Sequence, residues 1–250
     1  MMELGEGDAM TVLDMPAAVD KFDAPLYTQS EASRFLGLSE TTFRNWARGY
    51  RVVRAGREVV GIPVITAVAK EGARSPDIPF VGLAEGYALA AIRRSGVPLQ
   101  RIRPALEVLA KEMGLPHALA SDRLFTDGAE VLFDYAATAD PSESAAVREL
   151  VVVRDGQRVF ADAVESYLQR IVFGDDGFAQ ALPLPGFSRA EVVADVRRSF
   201  GQPIFSRGGA RLEDVLSLFR AERDLSVVAE EFGIPRSDLE DVLATLLPVH

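Results

Sequence analysis

The 250-residue sequence predicts an α+β fold, mainly helical, on three observations. Two short helical patterns near residue 30 are joined by a glycine turn, alternating apolar runs surround two Asp-Gly pairs in the middle, and three further helical patterns follow after residue 210. The length exceeds the usual single-domain size, so several modules are expected. Hydrophobic residues make up 48% of the chain, enough to give each module a core.

The first pattern lies in residues 26–50, LYTQSEASRFLGLSETTFRNWARGY. Thr28 and Glu31 have the spacing of a capping box, in which a hydroxyl and a carboxylate satisfy each other's exposed backbone amides. Ala32, Phe35 and Leu36 recur at helical spacing, Gly37 gives the turn its backbone freedom, and Leu38 plugs it. Ser39 then caps a second helix, which carries Thr42, Phe43 and Trp46 toward the core and leaves Thr41, Arg44, Asn45 and Arg48 on other faces. Such a helix-turn-helix with these side chains suits DNA, because Arg bonds guanine bidentately, Asn bonds adenine, and Thr meets a phosphate or a thymine methyl. The candidate DNA contacts are Thr41, Thr42, Arg44, Asn45, Arg48 and Tyr50, with Arg51, Arg54 and Arg57 extending the charge into a wing whose apolar strand is expected at Val59 to Thr66. From Arg34 to Arg57 six Arg stand against one Glu, a local +5 in a chain of net charge -10.

Composition removes other classes. With no cysteine there is no disulfide, thiolate metal site or cysteine nucleophile. His117 and His250 are too far apart in sequence for a metal or acid/base cluster, and His117 reads as a turn residue. No catalytic residue, metal site or cofactor is expected, and no phosphate-cradling glycine loop is found. No apolar stretch approaches membrane-spanning length and the first residues are acidic, so a cytoplasmic protein without membrane contact is expected.

In chain order, residues 1–24 read as a flexible arm and Lys70 to Pro79 as a loop. Leu83, Tyr87, Ala90 and Ala91, then Ile102, Leu106 and Leu109 after the Gly96-Val97-Pro98 break, predict a helix pair. A hairpin is expected where Arg123–Thr126 and Glu130–Tyr135 flank Asp127-Gly128, and another where Leu150–Arg154 and Gln157–Phe160 flank Asp155-Gly156. Ala161–Ile171 is helical by pattern, and Phe178–Leu184 and Glu191–Asp195 read as strands. Helices are expected at 211–221, 225–232 and 236–247. The last two repeat the helix-turn-helix spacing, with Ala229 four residues before Gly233. Over Arg211 to Leu247, however, nine acidic residues stand against four Arg, so this module is expected to bind protein.

Glu31-Ala32, Leu36-Gly37, Thr42, Arg44, Trp46 and Gly49 resemble the winged helix-turn-helix of MerR-like proteins, in which helices placed like the 80–115 pair buttress the wing and meet phosphates. Arg93, Arg94, Arg101 and Arg103 take that role by resemblance, or else solvate the pair's outer face. Gly201-x-Pro203, Arg207-Gly208-Gly209, Leu212-Glu213-Asp214-Val215, Val228-Ala229-x-x-Phe232-Gly233-Ile234 and Asp238-x-x-Asp241-Val242-Leu243 resemble a compact antitoxin-type domain. Together the two ends resemble large, non-standard VapB-type antitoxins.

That resemblance implies four segments: the arm 1–24, a MerR-like winged helix-turn-helix at 25–115, β hairpins with a helix at 116–188, and an antitoxin-type helical domain at 189–250. It implies binding to a PIN-domain ribonuclease toxin, repression of its own operon through operator DNA, and a homodimer on an inverted repeat. Arg207 or Arg211 would pair with the carboxylates that hold the toxin's metal ions, or else Arg207 pairs locally with Glu213 or Asp214. The alternative is a MerR-like transcription regulator that responds to a small ligand.

Overall fold

The computed structural model describes residues 19–54, 56–97, 99–154 and 157–247. Helices α1 (Gln29–Phe35) and α2 (Glu40–Arg48) are followed by an antiparallel hairpin of β1 (Tyr50–Arg54) and β2 (Arg57–Gly61). Next come α3 (Phe80–Arg94), α4 (Leu99–Met113), α5 (Asp122–Thr138) and α6 (Pro141–Leu150). A second hairpin, β3 (Val151–Arg154) with β4 (Gln157–Phe160), leads into α7 (Asp162–Leu168). Strands β5 (Val172–Phe173), β6 (Ala179–Pro183), β7 (Val192–Asp195) and β8 (Ile204–Phe205) form one antiparallel sheet in that order. Helices α8 (Leu212–Glu222), α9 (Leu225–Phe232) and α10 (Arg236–Leu246) complete the fold.

The fold is built around α3, whose residues from Phe80 to Ile92 are all buried. A helix that is apolar on every side belongs inside, and the sequence FVGLAEGYALAAI leaves only Glu85 as a charge there. Its small residues set how closely neighbours approach. A Cβ added at Gly86 would stand 3.0 Å from both Leu36 Cδ1 and Phe43 Cε2, so this glycine lets the α1–α2 unit sit directly on α3. On another side Tyr87 stacks on Tyr167 of α7 with ring centroids 4.7 Å apart. Buried side chains form one cluster running from Tyr27 to Val242.

The hairpin expected around Asp127-Gly128 is instead a continuous helix, α5. Leu124, Gly128, Leu132 and Ala136 recur every four residues, are buried, and form the face that α5 turns inward. Gly128 is a packing glycine: a Cβ there would lie 3.0 Å from Leu124 Cδ1 and 3.5 Å from Phe160 Cζ on β4. Asp127 pairs one helical turn back with Arg123 at 3.0 Å. The Asp-Gly signal therefore lost to a four-residue apolar repeat with a partner to cover it.

The other predicted elements hold with small shifts. β3 and β4 pair from Val151↔Phe160 to Arg154↔Gln157, while the expected Asp155-Gly156 turn lies outside the described residues. The expected strand at Val59–Thr66 ends at Gly61, after which the chain returns to the core and Val64 N donates to Trp46 O at 2.8 Å. Of the expected arm, residues 1–18 lie outside the described residues, and a turn around Lys21 is tied to Asp176 at 2.8 Å. His250 also lies outside them.

Candidate nucleic-acid interface

The local signals of the sequence are present as bonds. Thr28 Oγ1 accepts from Glu31 N at 3.2 Å and Glu31 Oε2 accepts from Thr28 N at 2.9 Å, closing the capping box of α1. Gly37 has φ +66°, and Leu38 N donates to Ser33 O at 2.8 Å across the turn. Ser39 Oγ then accepts from Thr42 N at 3.2 Å and starts α2. Phe43, Trp46 and Ala47 are buried on its inner face. Burial of the two aromatic rings contributes on the order of 2–3 kcal/mol each, which fixes the rotation of α2 about its axis.

That rotation decides what faces outward. Thr41, Arg44 and Asn45 stand at i, i+3 and i+4 and so share one face. Thr41 and Arg44 are exposed and Asn45 is half-buried. Thr42 is half-buried, its Oγ1 accepting from Ser39 Oγ at 2.8 Å and from Arg93 Nη1 at 3.2 Å. Arg48 would fall near the same face by periodicity, but its guanidinium turns back: Nη2 lies 2.5 Å from Asp77 Oδ2 and 3.1 Å from Val68 O. Asp77 is fully buried and also accepts from Gln29 Nε2 at 2.5 Å, so this carboxylate ties α1, through Gln29, and α2, through Arg48, to the segment before α3.

The hairpin flanks α2. Arg51 is exposed and pairs with Glu58 across the strands at 3.2 Å. The ring of Tyr50 lies over Gly61, and Arg103 of α4 sits 5.7 Å from that ring while Arg103 Nη1 donates to Ile62 O. Arg54 and Arg57 are register partners at the hairpin end, with side chains outside the described residues, as is that of Arg101. Arg94 stacks over Tyr167 at 4.7 Å. Of the arginines on α3 and α4, Arg93 thus braces α2 and Arg103 the hairpin.

The other predicted site residues lie elsewhere. The local pair expected of Arg207 is made by Arg211 instead, with Glu213 at 3.3 Å. Arg207 is exposed in the turn after β8 and lines a cleft of about 270 Å³ with Arg189, Glu191, Phe205, Ile234 and Asp238. Two connecting bonds were not legible in sequence. Gly186 N donates to Phe35 O at 2.8 Å, and Arg34 Nη1 donates to Leu246 O at 3.3 Å, joining α1 to the loop after β6 and to the end of α10. A Cβ at Gly186 would stand 1.7 Å from Arg34 O, so only glycine allows that approach.

Asp77 and Glu85 were also missed, since a lone carboxylate next to Ile-Pro or inside an apolar helix carries no sequence pattern. Glu85 is buried and accepts from Thr66 N at 2.5 Å and Thr66 Oγ1 at 3.1 Å, while His117 Nδ1 lies 3.1 Å away. The hydrogen bond to Glu85 raises the His117 pKa above 6.5 against the opposing effect of burial. His117 is a turn residue as expected, with φ +58°, and is also the polar end of a mainly apolar cavity of about 500 Å³ between residues 62–66 and α4.

Residues 25–106 match the family described as "Putative DNA-binding HTH domain", so a capped turn, a buried inner face and a polar outer face here define the helix-turn-helix DNA-binding class. Over 226 residues the chain is 46% identical to "Putative antitoxin VapB45" of Mycobacterium tuberculosis (strain ATCC 25618 / H37Rv), spanning 89% of this chain and 94% of that protein. The chain belongs to that antitoxin family. The X-ray crystal structure of Rv2018 from Mycobacterium tuberculosis is similar at a TM-score of 0.72 and 44% identity, covering 89% of this chain and 99% of that one.

Proposed function

We propose that this protein is the antitoxin of a type II toxin-antitoxin pair that represses its own operon and neutralises a PIN-domain ribonuclease by direct binding. The observation that carries the DNA half is the outward face of α2, where Thr41, Arg44 and Asn45 are presented together while the inner face is locked by Phe43 and Trp46. In this reading residues 25–115 form a MerR-like head and the β1–β2 hairpin is its wing. Arg51, Arg54, Arg57 and Tyr50 follow the phosphates, and Thr42 and Arg48 hold the helix in place. Residues 189–250 contact the ribonuclease, whose carboxylate-held metal ions would be met by arginine. The protein acts as a homodimer on an inverted repeat, because paired half-sites match two-fold protein symmetry. It is a binding protein and not an enzyme.

The test is co-expression with the product of the adjacent open reading frame. The expected result is a stable complex in which that product's ribonuclease activity is lost, together with binding of the complex or free antitoxin to its own promoter with a steep salt dependence. No complex, with an adjacent gene that encodes no PIN domain, sinks the toxin half.

The cavity beneath the hairpin supports a second reading, a regulator responding to a small ligand. It is walled by Ile65, Leu106, Leu109 and Ala118 and touches the segment that carries the hairpin. A small molecule that raises the melting temperature without any nuclease present, and changes promoter affinity, would favour that reading.

A further inference from the structure

The loop between β7 and β8 combines features that the DNA-reading head does not use. Residues Ser199, Phe200 and Gly201 have φ of +52°, +55° and +82° in succession. The left-handed region is unfavourable for residues with a Cβ, and for a bulky aromatic it is rare. Phe200 is moreover half-exposed, the one aromatic among the exposed large hydrophobic side chains of the described residues. An unfavourable backbone that lifts an aromatic ring into solvent does nothing for the core. Ser199 Oγ is buried without a hydrogen-bond partner among the described residues.

The loop is nevertheless held firmly. Asp195 Oδ1 accepts from Arg197 N at 2.9 Å, Arg198 N donates to Asp195 O at 3.0 Å, and Tyr27 Oη donates to Gly201 O at 2.5 Å. Arg198 is exposed and makes no ion pair among the described residues, and its Nη2 would lie 2.7 Å from a Cβ at Gly209. The missing side chain at Gly209 thus lets the Arg198 guanidinium lie against the Arg207-Gly208-Gly209 turn. Two arginine-bearing loops meet there, and the exposed Phe200 is two residues on from Arg198 in the first of them.

We infer that Phe200 and Arg198, with Arg207 on the adjoining turn, form the principal contact for a carboxylate-bearing surface of the nuclease partner, a deepening that rests on the antitoxin reading above. Aromatic rings and arginines on a preorganised loop carry a disproportionate share of interface energy. From Arg189 to Arg207 four Arg stand against Glu191 and Asp195, in a chain of net charge -10, so this segment is locally positive and suits an acidic protein. Nucleic acid is the poorer match: the turn abuts α9, where Gly208 faces Phe232 O, and the α8–α10 region is strongly acidic.

Phe200→Gly and Arg198→Glu in the full-length protein test this, by affinity for the nuclease from the adjacent open reading frame and for promoter DNA. Phe200→Gly removes both the ring and the unfavourable φ. It is expected to melt at or above the wild-type temperature while binding the nuclease at least about tenfold more weakly, with DNA affinity unchanged. Arg198→Glu is expected to weaken the nuclease complex by a similar factor. Wild-type affinity for the nuclease in both variants, or a loss confined to DNA, would overturn the inference and leave the antitoxin reading standing. If the wild-type protein forms no complex at all, both fall together.

Discussion

The chain contains the same turn twice, with opposite surfaces. Between α1 and α2, Gly37 has φ +66° and Leu38 N bonds back to Ser33 O at 2.8 Å; between α9 and α10, Gly233 has φ +61° and Ile234 N bonds back to Ala229 O at 3.1 Å. Both apolar plugs pack into the core. The second helices differ: α2 turns Thr41 and Arg44 outward, whereas α10 carries Asp238, Glu240 and Asp241 in its first two turns. Asp241 is already engaged, accepting from Ser188 Oγ at 2.7 Å, Arg189 N at 2.7 Å and Ala190 N at 3.0 Å. Turn chemistry sets the helix pair, and the charges on its second helix set what it can meet.

Arg48 departs from the rest of the outward side of α2. Although it belongs to the same α2 as Arg44, its loss leaves the buried Asp77 carboxylate without its charged partner, so Arg48→Ala is expected to cost about 3 kcal/mol of folding stability by chemical denaturation. A loss under about 0.5 kcal/mol would mean that Arg48 is an ordinary surface arginine. Arg44→Ala is expected to do the reverse, leaving denaturation unchanged and weakening promoter binding by about 1–3 kcal/mol in a titration at fixed salt.

The equivalence of the two turns is sharpened by a matched pair of variants. Gly37→Ala and Gly233→Ala place a Cβ at positive φ with no contact closer than 3.5 Å at the first and open space at the second. Each is expected to cost about 1 kcal/mol, read from melting curves, and strongly unequal losses would show that one turn is held by something besides its backbone.

The smallest effect belongs to His117 under the hairpin. Because Glu85 raises its pKa in the folded protein above 6.5, the folded state binds this proton more tightly than the unfolded chain. The resulting stabilisation is complete below the ordinary histidine pKa and is lost as pH rises through the raised value. Melting temperatures across that window should fall more for the wild type than for His117→Gln; parallel curves would remove the coupling.

Much of this was readable in the chain. The capping box, Gly37, Ser39 and the spacing of Phe43 and Trp46 all act within one or two turns, so α2 and its outward face follow from local chemistry. The same holds for β3–β4 and for the three helices from α8 on. The error at Asp127-Gly128 has the opposite origin, since the preference for a hairpin turn was outweighed by burial against Leu109 and Phe160, residues 19 and 32 positions away from Gly128 in the sequence.

The helix pairs, their turns and the contrast between a basic head and an acidic end are written in the order of residues, because spacing, capping and charge are properties of neighbours in the chain. That Arg48 turns to Asp77, that Gly186 locks α1 to the loop after β6, and that Arg198 lies against Gly209 emerge only when the chain is packed. Each of those joins residues 11 to more than 150 positions apart, at distances set by packing rather than by any local preference.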